Sequence, residues 1–432
     1  MKQLVQLSNG VRIASVQSGG PSTALAVVTP FFQLPQNAQL PLGSFILEKA
    51  AFSATRASSS SVLQKRMDTI VGGSQVKSHR EYLRYASMTT PMQVEPVLQI
   101  LGEIATQPLI TEELLNNEMP AVIEYEVNEM KQKKPEEYMA EMILSAAYGR
   151  KLFSLRTARE DLKECNLERL NNFINNVVQP NRLCVIGAGP DPDIASRIAE
   201  AVSNCELFSI EATPQSTSPE AVSSLHYNPQ PLDDCVEEDG DQPLTHVSLA
   251  YEGIPQGDPD SHVASVLCTL LGGGGAFSAG GPGKGMYSRL MTRVLNTFHY
   301  VESARAFNIS LQNTGLFGIH GSALMSHAAA LLRNLKAQLE YMSSAVSEEE
   351  LARAKNMAAS AQLMGTEMRF NLIDQLADSL VYQQCIKTPQ ELAEQIQSVQ
   401  KADLDRVAQR LLSSKPVVAL FGQIPSKLPS LD

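Results

Sequence analysis

The chain has 432 residues, of which 43% are apolar and 19% are charged, with a formal net charge of −11 and a pI near 5.3. This length exceeds what one hydrophobic core organises and predicts two or three globular domains. The acidic balance argues against general nucleic-acid binding, which depends on clustered lysine and arginine, and it suits a basic peptide partner better.

The first elements of the chain read as strands. Residues 1–17 alternate apolar and polar side chains on both sides of Asn9-Gly10, a pattern that predicts a β-hairpin rather than a signal or transit peptide. If the protein enters an organelle, its targeting segment is therefore expected outside these residues. The runs 23–32 and 244–254 predict strands, and each is followed by an apolar helix.

The order of predicted elements occurs twice along the chain. Several amphipathic helices and a strand follow position 108, and the same sequence of elements follows position 344. Corresponding residues are Glu113 with Glu350 and Arg169 with Arg406, both at an offset of 237, and Gly187 with Gly422 at an offset of 235. Two independent blocks of the first half thus recur in the second half at nearly the same distance along the chain. This recurrence predicts a duplicated domain of about 200 residues.

This duplication predicts an α+β fold. Strand runs followed by helix runs indicate two homologous domains, each a largely antiparallel sheet with helices covering one face. Residues 206–242 are rich in Pro, Ser and acidic residues and lack apolar periodicity, so they predict a linker. The predicted domains are then residues 1–205 and 243–432.

The most unusual segment is GGGGAFSAGGPGKG at 272–285, with eight glycines in fourteen residues. Glycine loses the most conformational entropy on ordering, so such a run predicts either a flexible linker or a surface where backbone approaches a ligand. Gly285 stands where a Walker loop needs Ser or Thr, and no G-x-G-x-x-G register fits. Flexible linkers rarely carry residues such as Phe277, Met286 and Tyr287, which favours a binding loop.

Other catalytic patterns do not emerge. None of the seven histidines is spaced four residues from another, and there is no G-x-S-x-G elbow. The six cysteines form no C-x-x-C, which favours reduced thiols in an intracellular or organellar compartment. No stretch reaches eighteen apolar residues without a charge, so no transmembrane helix is predicted.

Two segments carry a resemblance to a known family. The segment GSFILEKAAFSAT at 43–55 and above all LLGGGGAFSAGGPGKGMYSRL at 270–290, together with the duplication, resemble the pitrilysin-type metallopeptidase superfamily. Within it the resemblance is to the family of mitochondrial processing peptidase alpha subunits, which are close to the core subunits of the respiratory cytochrome bc complex. It spans essentially the whole chain.

The resemblance also points to a degenerate zinc site. Active members of the superfamily carry H-x-x-E-H on a helix and a distant glutamate as third ligand. The matching positions here are Phe45, Glu48, Lys49 and Glu126. A phenyl ring has no lone pair for a metal, and an ammonium group repels a dication, so the resemblance implies no metal and no catalytic residue in this chain. Glu48 and Glu126 are expected to take part in structural ion pairs instead, Glu48 with Lys49 for example.

A role in peptide recognition is what the resemblance implies for the glycine-rich segment. The segment is expected to capture Arg-rich presequences for a homologous, zinc-bearing beta subunit in a heterodimer. Lys284 is expected to face solvent or that partner. The expected substrate-binding residues are Gly272, Gly273, Gly274, Gly275, Phe277, Gly280, Gly281, Gly283, Lys284 and Gly285.

The expected location is the mitochondrial matrix, either free or at the matrix face of the inner membrane within respiratory complex III. One alternative is a purely structural core subunit of the cytochrome bc complex. Another is a soluble adaptor with a private peptide ligand and no mitochondrial role.

Overall fold

The computed structural model describes residues 2–32, 34, 38–70, 72–208, 225–229, 236–239, 243–273 and 286–424. The chain forms two compact units. Unit 1 consists of residues 1–121, 160–224 and 365–389, and unit 2 of residues 122–159, 225–364 and 390–432.

The regular elements of the described residues come in runs of strands and runs of helices along the chain. The strands are β1 (Lys2–Gln6), β2 (Arg12–Gln17), β3 (Thr23–Pro30), β4 (Ser74–Ser78), β5 (Tyr82–Thr89), β6 (Cys184–Gly189), β7 (Val236–Asp239), β8 (Thr245–Glu252), β9 (Val301–Ser310), β10 (Gly315–Ala323) and β11 (Val417–Gly422). The helices are α1 (Gly43–Ala50), α2 (Ser60–Met67), α3 (Val94–Thr106), α4 (Met119–Lys133), α5 (Pro135–Tyr148), α6 (Ala158–Lys163), α7 (Leu167–Val177), α8 (Ile194–Ser203), α9 (Ser261–Leu271), α10 (Ala328–Glu340), α11 (Glu348–Gly365), α12 (Arg369–Gln383), α13 (Pro389–Ser398) and α14 (Lys401–Leu412). Two π-helical segments, Leu114–Glu118 and Met291–Leu295, and short 3-10 turns complete the set.

Unit 1 contains a six-stranded sheet in the order β1-β2-β6-β3-β5-β4. β1 and β2 form the predicted hairpin, in which Gly10 has a φ of +94°, a conformation that favours glycine. β2 pairs in parallel with β6, and the remaining neighbours are antiparallel. The prediction of a largely antiparallel sheet is confirmed.

Helices cover both faces of this sheet. Every residue of β3 is buried, and alternate residues of a strand face opposite sides. Ala24, Ala26 and Val28 lie in one core cluster with the apolar residues of α12, while α3 and α8 also pack on the sheet. The prediction that helices cover only one face is therefore wrong, because a central strand apolar on both faces needs a cover on each side.

The sheet of unit 2 has the order β7-β11-β8-β10-β9. β7 and β11 pair in parallel and all other neighbours are antiparallel, which repeats the pairing of β2-β6-β3-β5-β4 in unit 1. α9 and α10 contribute to one core cluster on this sheet, and α5 contributes to a second cluster with Ala250 and Phe421. The two units thus share one topology, as the duplicated sequence predicts.

The compact units differ from the predicted ranges 1–205 and 243–432 in two segments. α5 belongs to the first repeat but packs on β8 and β11, and α12 belongs to the second repeat but packs on β3 and β6. Leu372, Ile373, Leu376 and Leu380 of α12 are at most 4% exposed. Burial of such side chains contributes about 1.5 to 3 kcal/mol each, so the exchanged helix is integral to the core of unit 1.

The predicted linker 206–242 lies mostly outside the described residues. One described part of it, β7, forms a strand that pairs with β11 rather than a linker. The cysteines of the described residues are all free thiols, namely Cys165, Cys184, Cys205, Cys268 and Cys385. Among the described helices, none is both long and apolar enough to span a bilayer.

Candidate functional site

The helix that carries the degenerate zinc positions is α1 in unit 1. It begins against α7, where a Cβ on Gly43 would lie 2.7 Å from the Phe173 ring, so only glycine allows this approach. Phe45, Ile46 and Leu47 are at most 5% exposed, and this burial ties the short helix to the core. The side chains at positions 45, 48 and 49 therefore have fixed surroundings.

Glu48 is held by contacts other than a metal. Its Oε2 accepts a hydrogen bond of 2.6 Å from the backbone N–H of Ser78, and its Oε1 lies 3.4 Å from Nζ of Lys49. The Lys49 ammonium also lies 5.1 Å from the centre of the Phe45 ring, a cation–π distance. The predicted pairing of Glu48 with Lys49 is thus present, and it is the ammonium group that sits beside the carboxylate.

These residues do not fit a zinc ion. The two positions that would present imidazoles present a ring without a donor atom and a cation. Phe45, Glu48 and Lys49 lie together on α1, and Glu126 lies on α4. Within the described part of the chain, no group of three or more His, Cys, Asp or Glu residues could hold a metal.

Restoring the two imidazoles is expected to create zinc affinity on α1. We expect Phe45→His/Lys49→His to bind Zn²⁺ at least about ten-fold more tightly than the natural chain, because residues four apart share one helix face. Isothermal titration with Zn²⁺ on the full chain measures the difference. The matched control is Phe45→Gln/Lys49→Gln, which removes the same ring and charge without adding imidazoles. Equal affinity of the natural chain and the histidine variant would contradict the expectation.

The described part of the glycine-rich segment, Gly272 and Gly273, directly follows α9. Gly272 has a φ of +129°, which strains any other residue, and its N–H donates to the carbonyl of Cys268 at 3.1 Å. The N–H of Gly273 donates to the same carbonyl at 2.8 Å. A Cβ on Gly273 would lie 2.3 Å from Sγ of Cys268 and 2.5 Å from the carbonyl oxygen of Ala306. Gly272 is therefore required by its backbone conformation, and Gly273 is required by packing.

The other expected substrate-binding residues lie outside the described residues. They are Gly274, Gly275, Phe277, Gly280, Gly281, Gly283, Lys284 and Gly285. Their assignment stays a prediction. The chain is described again from Met286, and Tyr287 there is 66% exposed with the Arg353 guanidinium 5.4 Å from its ring centre.

Arg289 anchors the chain immediately after the glycine-rich segment. It is 1% exposed, and its Nε and Nη2 donate to the two carboxylate oxygens of Glu350 at 2.6 and 3.0 Å. The same guanidinium donates to three backbone carbonyls, those of Tyr341, Met342 and Ser344, at 2.9 to 3.0 Å.

The environment of Glu350 shows how strong this pairing is. Burial by itself raises the pKa of Glu350, but the hydrogen bonds and charge of Arg289 outweigh it and lower the pKa. In the sequence Arg289 is distinguished only as the first basic residue after the glycine-rich segment. Arg293 follows four residues later, so no local pattern marks Arg289 as the buried one.

A cavity of about 820 Å³ opens in unit 2 beside α9. Its walls come from the N-terminal end of α5, from α9 and from β9, and His246 and His320 on adjacent strands β8 and β10 also line it. The two imidazole rings stack with centres 5.5 Å apart, and Nδ1 of His246 lies 3.5 Å from Nε2 of His320.

Burial keeps the two histidines and Cys268 of this cavity uncharged at neutral pH. Burial lowers the pKa of His246 to about 4. Burial, with the nearby charges of His246 and Arg305, lowers the pKa of His320 to about 3. Burial also raises the pKa of Cys268 to about 12, so this thiol is not a reactive thiolate at neutral pH.

Comparison with known proteins places the chain in a family. Residues 41–161 match the family described as insulinase (peptidase family M16), and residues 164–358 match the peptidase M16 inactive domain. The chain is 28% identical over 449 residues to the mitochondrial-processing peptidase subunit alpha of Pongo abelii, covering 100% of this chain and 83% of the relative. It is 30% identical to the probable mitochondrial-processing peptidase subunit alpha of Schizosaccharomyces pombe, covering 97% of this chain and 85% of the relative.

A solved structure supports the fold. The crystal structure of a protease from Helicobacter pylori superposes with a TM-score of 0.80 at 17% identity, covering 98% of this chain and 99% of that one. With its duplicated α+β units and its match to 83% and 85% of the length of these two relatives, this chain belongs to the M16 peptidase family, in the group of mitochondrial-processing peptidase alpha subunits.

Proposed function

We propose that this chain is the non-catalytic alpha subunit of a heterodimeric mitochondrial processing peptidase. In this role it recognises presequences through the glycine-rich segment 272–285 and presents them to a homologous beta subunit that carries the zinc. One observation carries the proposal: α1 places Phe45 and Lys49 where a zinc helix needs imidazoles, and Lys49 lies beside Glu48. A subunit with such a helix contributes binding and leaves the chemistry to its partner.

The glycine-rich segment suits a peptide ligand. Presequences are Arg-rich and amphipathic, so their recognition calls for an adaptable backbone and a negative potential. The chain carries a net charge of −11, and glycines let the main chain approach an incoming peptide closely. The packed ends of the segment, Gly272–Gly273 and Arg289, provide a fixed frame for it.

The proposed location is the mitochondrial matrix. Relatives named as mitochondrial-processing peptidase alpha subunits support it. The heterodimer is either free or part of respiratory complex III. Native gel electrophoresis of the endogenous protein distinguishes these two states. Co-migration with cytochrome subunits supports integration in the complex, and migration with the zinc-bearing subunit alone supports the free enzyme.

Deletion of residues 275–284 is expected to weaken presequence binding roughly ten-fold, a loss of about 1.4 kcal/mol, while folding and assembly are retained. The deletion leaves Gly272 and Gly273 in their packed positions. Fluorescence anisotropy with a labelled Arg-rich presequence peptide measures the affinity of the full chain.

Deletion of residues 211–220, ten residues of the predicted linker, is the matched control and is expected to leave the affinity unchanged. If the 275–284 deletion binds the peptide as tightly as the natural chain, recognition does not use the segment.

A further inference from the structure

The cavity in unit 2 contains polar atoms that lack partners. Nδ1 of His320 and Oδ1 of Asn308 are buried and have no hydrogen-bond partner, and both residues line the cavity. His320 as a whole is 5% exposed. An unpaired buried polar atom costs about 1 to 3 kcal/mol, which is a reason to look for a ligand that pairs with it.

The charged residues at the cavity wall each have an ion-pair partner. Arg305 lies 3.7 Å from Glu136, Lys134 lies 3.4 Å from Glu137, and Lys133 lies 3.3 Å from Glu129 outside the wall. The side chains of the first two pairs are about half exposed, and such pairs contribute little to stability. The wall therefore does not select a strongly charged ligand of either sign.

The interior of the cavity offers neutral hydrogen-bonding groups. Besides the two histidines and Asn308, it is lined by Ser248, Ser265 and Thr269. Since arginine carries its charge in every accessible state, burying it here without a carboxylate partner would be costly. Uncharged donors match Oδ1 of Asn308 without that cost.

β9 gives the cavity an elongated wall. Five consecutive residues, 305–309, line it. β9 is an edge strand, and among the described strands β10 is its one partner. An edge strand offers unpaired N–H and C=O groups to which an extended peptide can add as a further strand.

We propose that this cavity is a subsite for a peptide bound in extended form along β9. It accepts an uncharged donor side chain of that peptide, such as serine, threonine, asparagine or glutamine, rather than an arginine. The proposal deepens the proposed function and rests on it, because the peptide is taken to be a presequence.

The position of the glycine-rich segment supports this assignment. Gly273 packs against Cys268 and the carbonyl oxygen of Ala306, and both residues line the cavity. The segment proposed to capture the peptide therefore starts at the wall of the subsite. One bound peptide can therefore contact both the glycine-rich segment and the cavity.

The test compares two labelled peptides on the full chain by fluorescence anisotropy. In the first, arginines alternate with serines and glutamines; in the second, every serine and glutamine is alanine. We expect the natural chain to prefer the first peptide by about five-fold, the value of one neutral hydrogen bond. Asn308→Leu is expected to abolish this preference and to leave the affinity for the alanine peptide unchanged.

Stability measurements separate a binding role from a structural one. Asn308→Leu is expected to keep or raise the thermal unfolding midpoint, because it removes an unpaired buried oxygen. His320→Leu is the second variant and is expected to lose the preference as well. Asn175→Leu, an exposed position on α7, is the matched control and retains it.

The outcomes distinguish the two proposals. A five-fold preference that survives in both Asn308→Leu and His320→Leu overturns the subsite and leaves the proposed function standing. Failure of the natural chain to bind either peptide overturns the proposed function and the subsite with it.

Discussion

Replacement of Arg289 by methionine is expected to lower the free energy of unfolding by about 3 to 5 kcal/mol. The change leaves the Glu350 carboxylate without its bidentate partner, and three carbonyls at the end of α10 and beyond lose a donor. The partly buried Glu350 side chain, 17% exposed, then carries a charge without its partner, and this accounts for most of the loss. Urea unfolding of the full chain, followed by circular dichroism, measures it.

A double variant isolates the ion pair from the rest of the site. Arg289→Met/Glu350→Leu is expected to be more stable than Arg289→Met alone, since no unpaired, partly buried carboxylate remains. Arg333→Met, at an exposed position on α10, is the matched control and is expected to change stability by less than about 0.5 kcal/mol. If Arg289→Met has the same urea unfolding midpoint as the natural chain, the pairing of Arg289 with Glu350 does not contribute to stability.

Acidification is expected to destabilise unit 2 through His246 and His320. Their pKa values fall to about 4 and about 3 in the folded chain, against about 6.5 when unfolded. A group whose folded pKa is lowered binds more protons in the unfolded state, so its stabilisation is full above pH 6.5 and is lost as pH falls towards 4. At pH 5 the expected loss is on the order of 2 kcal/mol for each histidine.

A variant that lacks these two histidines measures their contribution. His246→Gln/His320→Gln is expected to lose less stability than the natural chain between pH 7.5 and pH 5, whereas His299→Gln, an exposed control, keeps the full pH dependence. The comparison with the natural chain matters because the contribution of Asp378 in unit 1 to stability changes with pH in the opposite direction. Burial raises its pKa to about 7, so its contribution is greatest at low pH and is lost as pH rises through 7. Parallel pH profiles for the natural chain and the double variant would refute the assignment.

The duplicated fold could be predicted because it rests on local patterns. The Asn9-Gly10 turn and the apolar run 23–32 specify their strands within a few residues, and Gly10 shows the expected positive φ. Nearly equal offsets between the halves then indicated one topology used twice. The side that each helix covers could not be predicted in this way. An amphipathic helix such as α12 shows that one face is buried, but its sequence does not say on which sheet.

The residues of the candidate site also differ in whether the sequence alone could reveal them. Phe45, Glu48 and Lys49 lie within one helical turn and a half, so their replacement of a zinc motif is visible in the sequence alone. The pair of Arg289 and Glu350 joins residues 61 positions apart, and the stacked histidines are 74 positions apart. Spacing along the chain carries no signal for such pairs, because adjacent strands and packed helices bring them together.

The sequence by itself therefore determined the duplication, the α+β class, the loss of the zinc-binding imidazoles and the glycine-rich segment, since each of these is a local pattern of residue types. Only the tertiary structure decided that α5 and α12 pack on the sheet of the other repeat, that Gly273 is required by packing, and that His320 and Asn308 line one cavity. These features depend on burial between distant segments, and burial is a property of the packed chain rather than of any stretch within it.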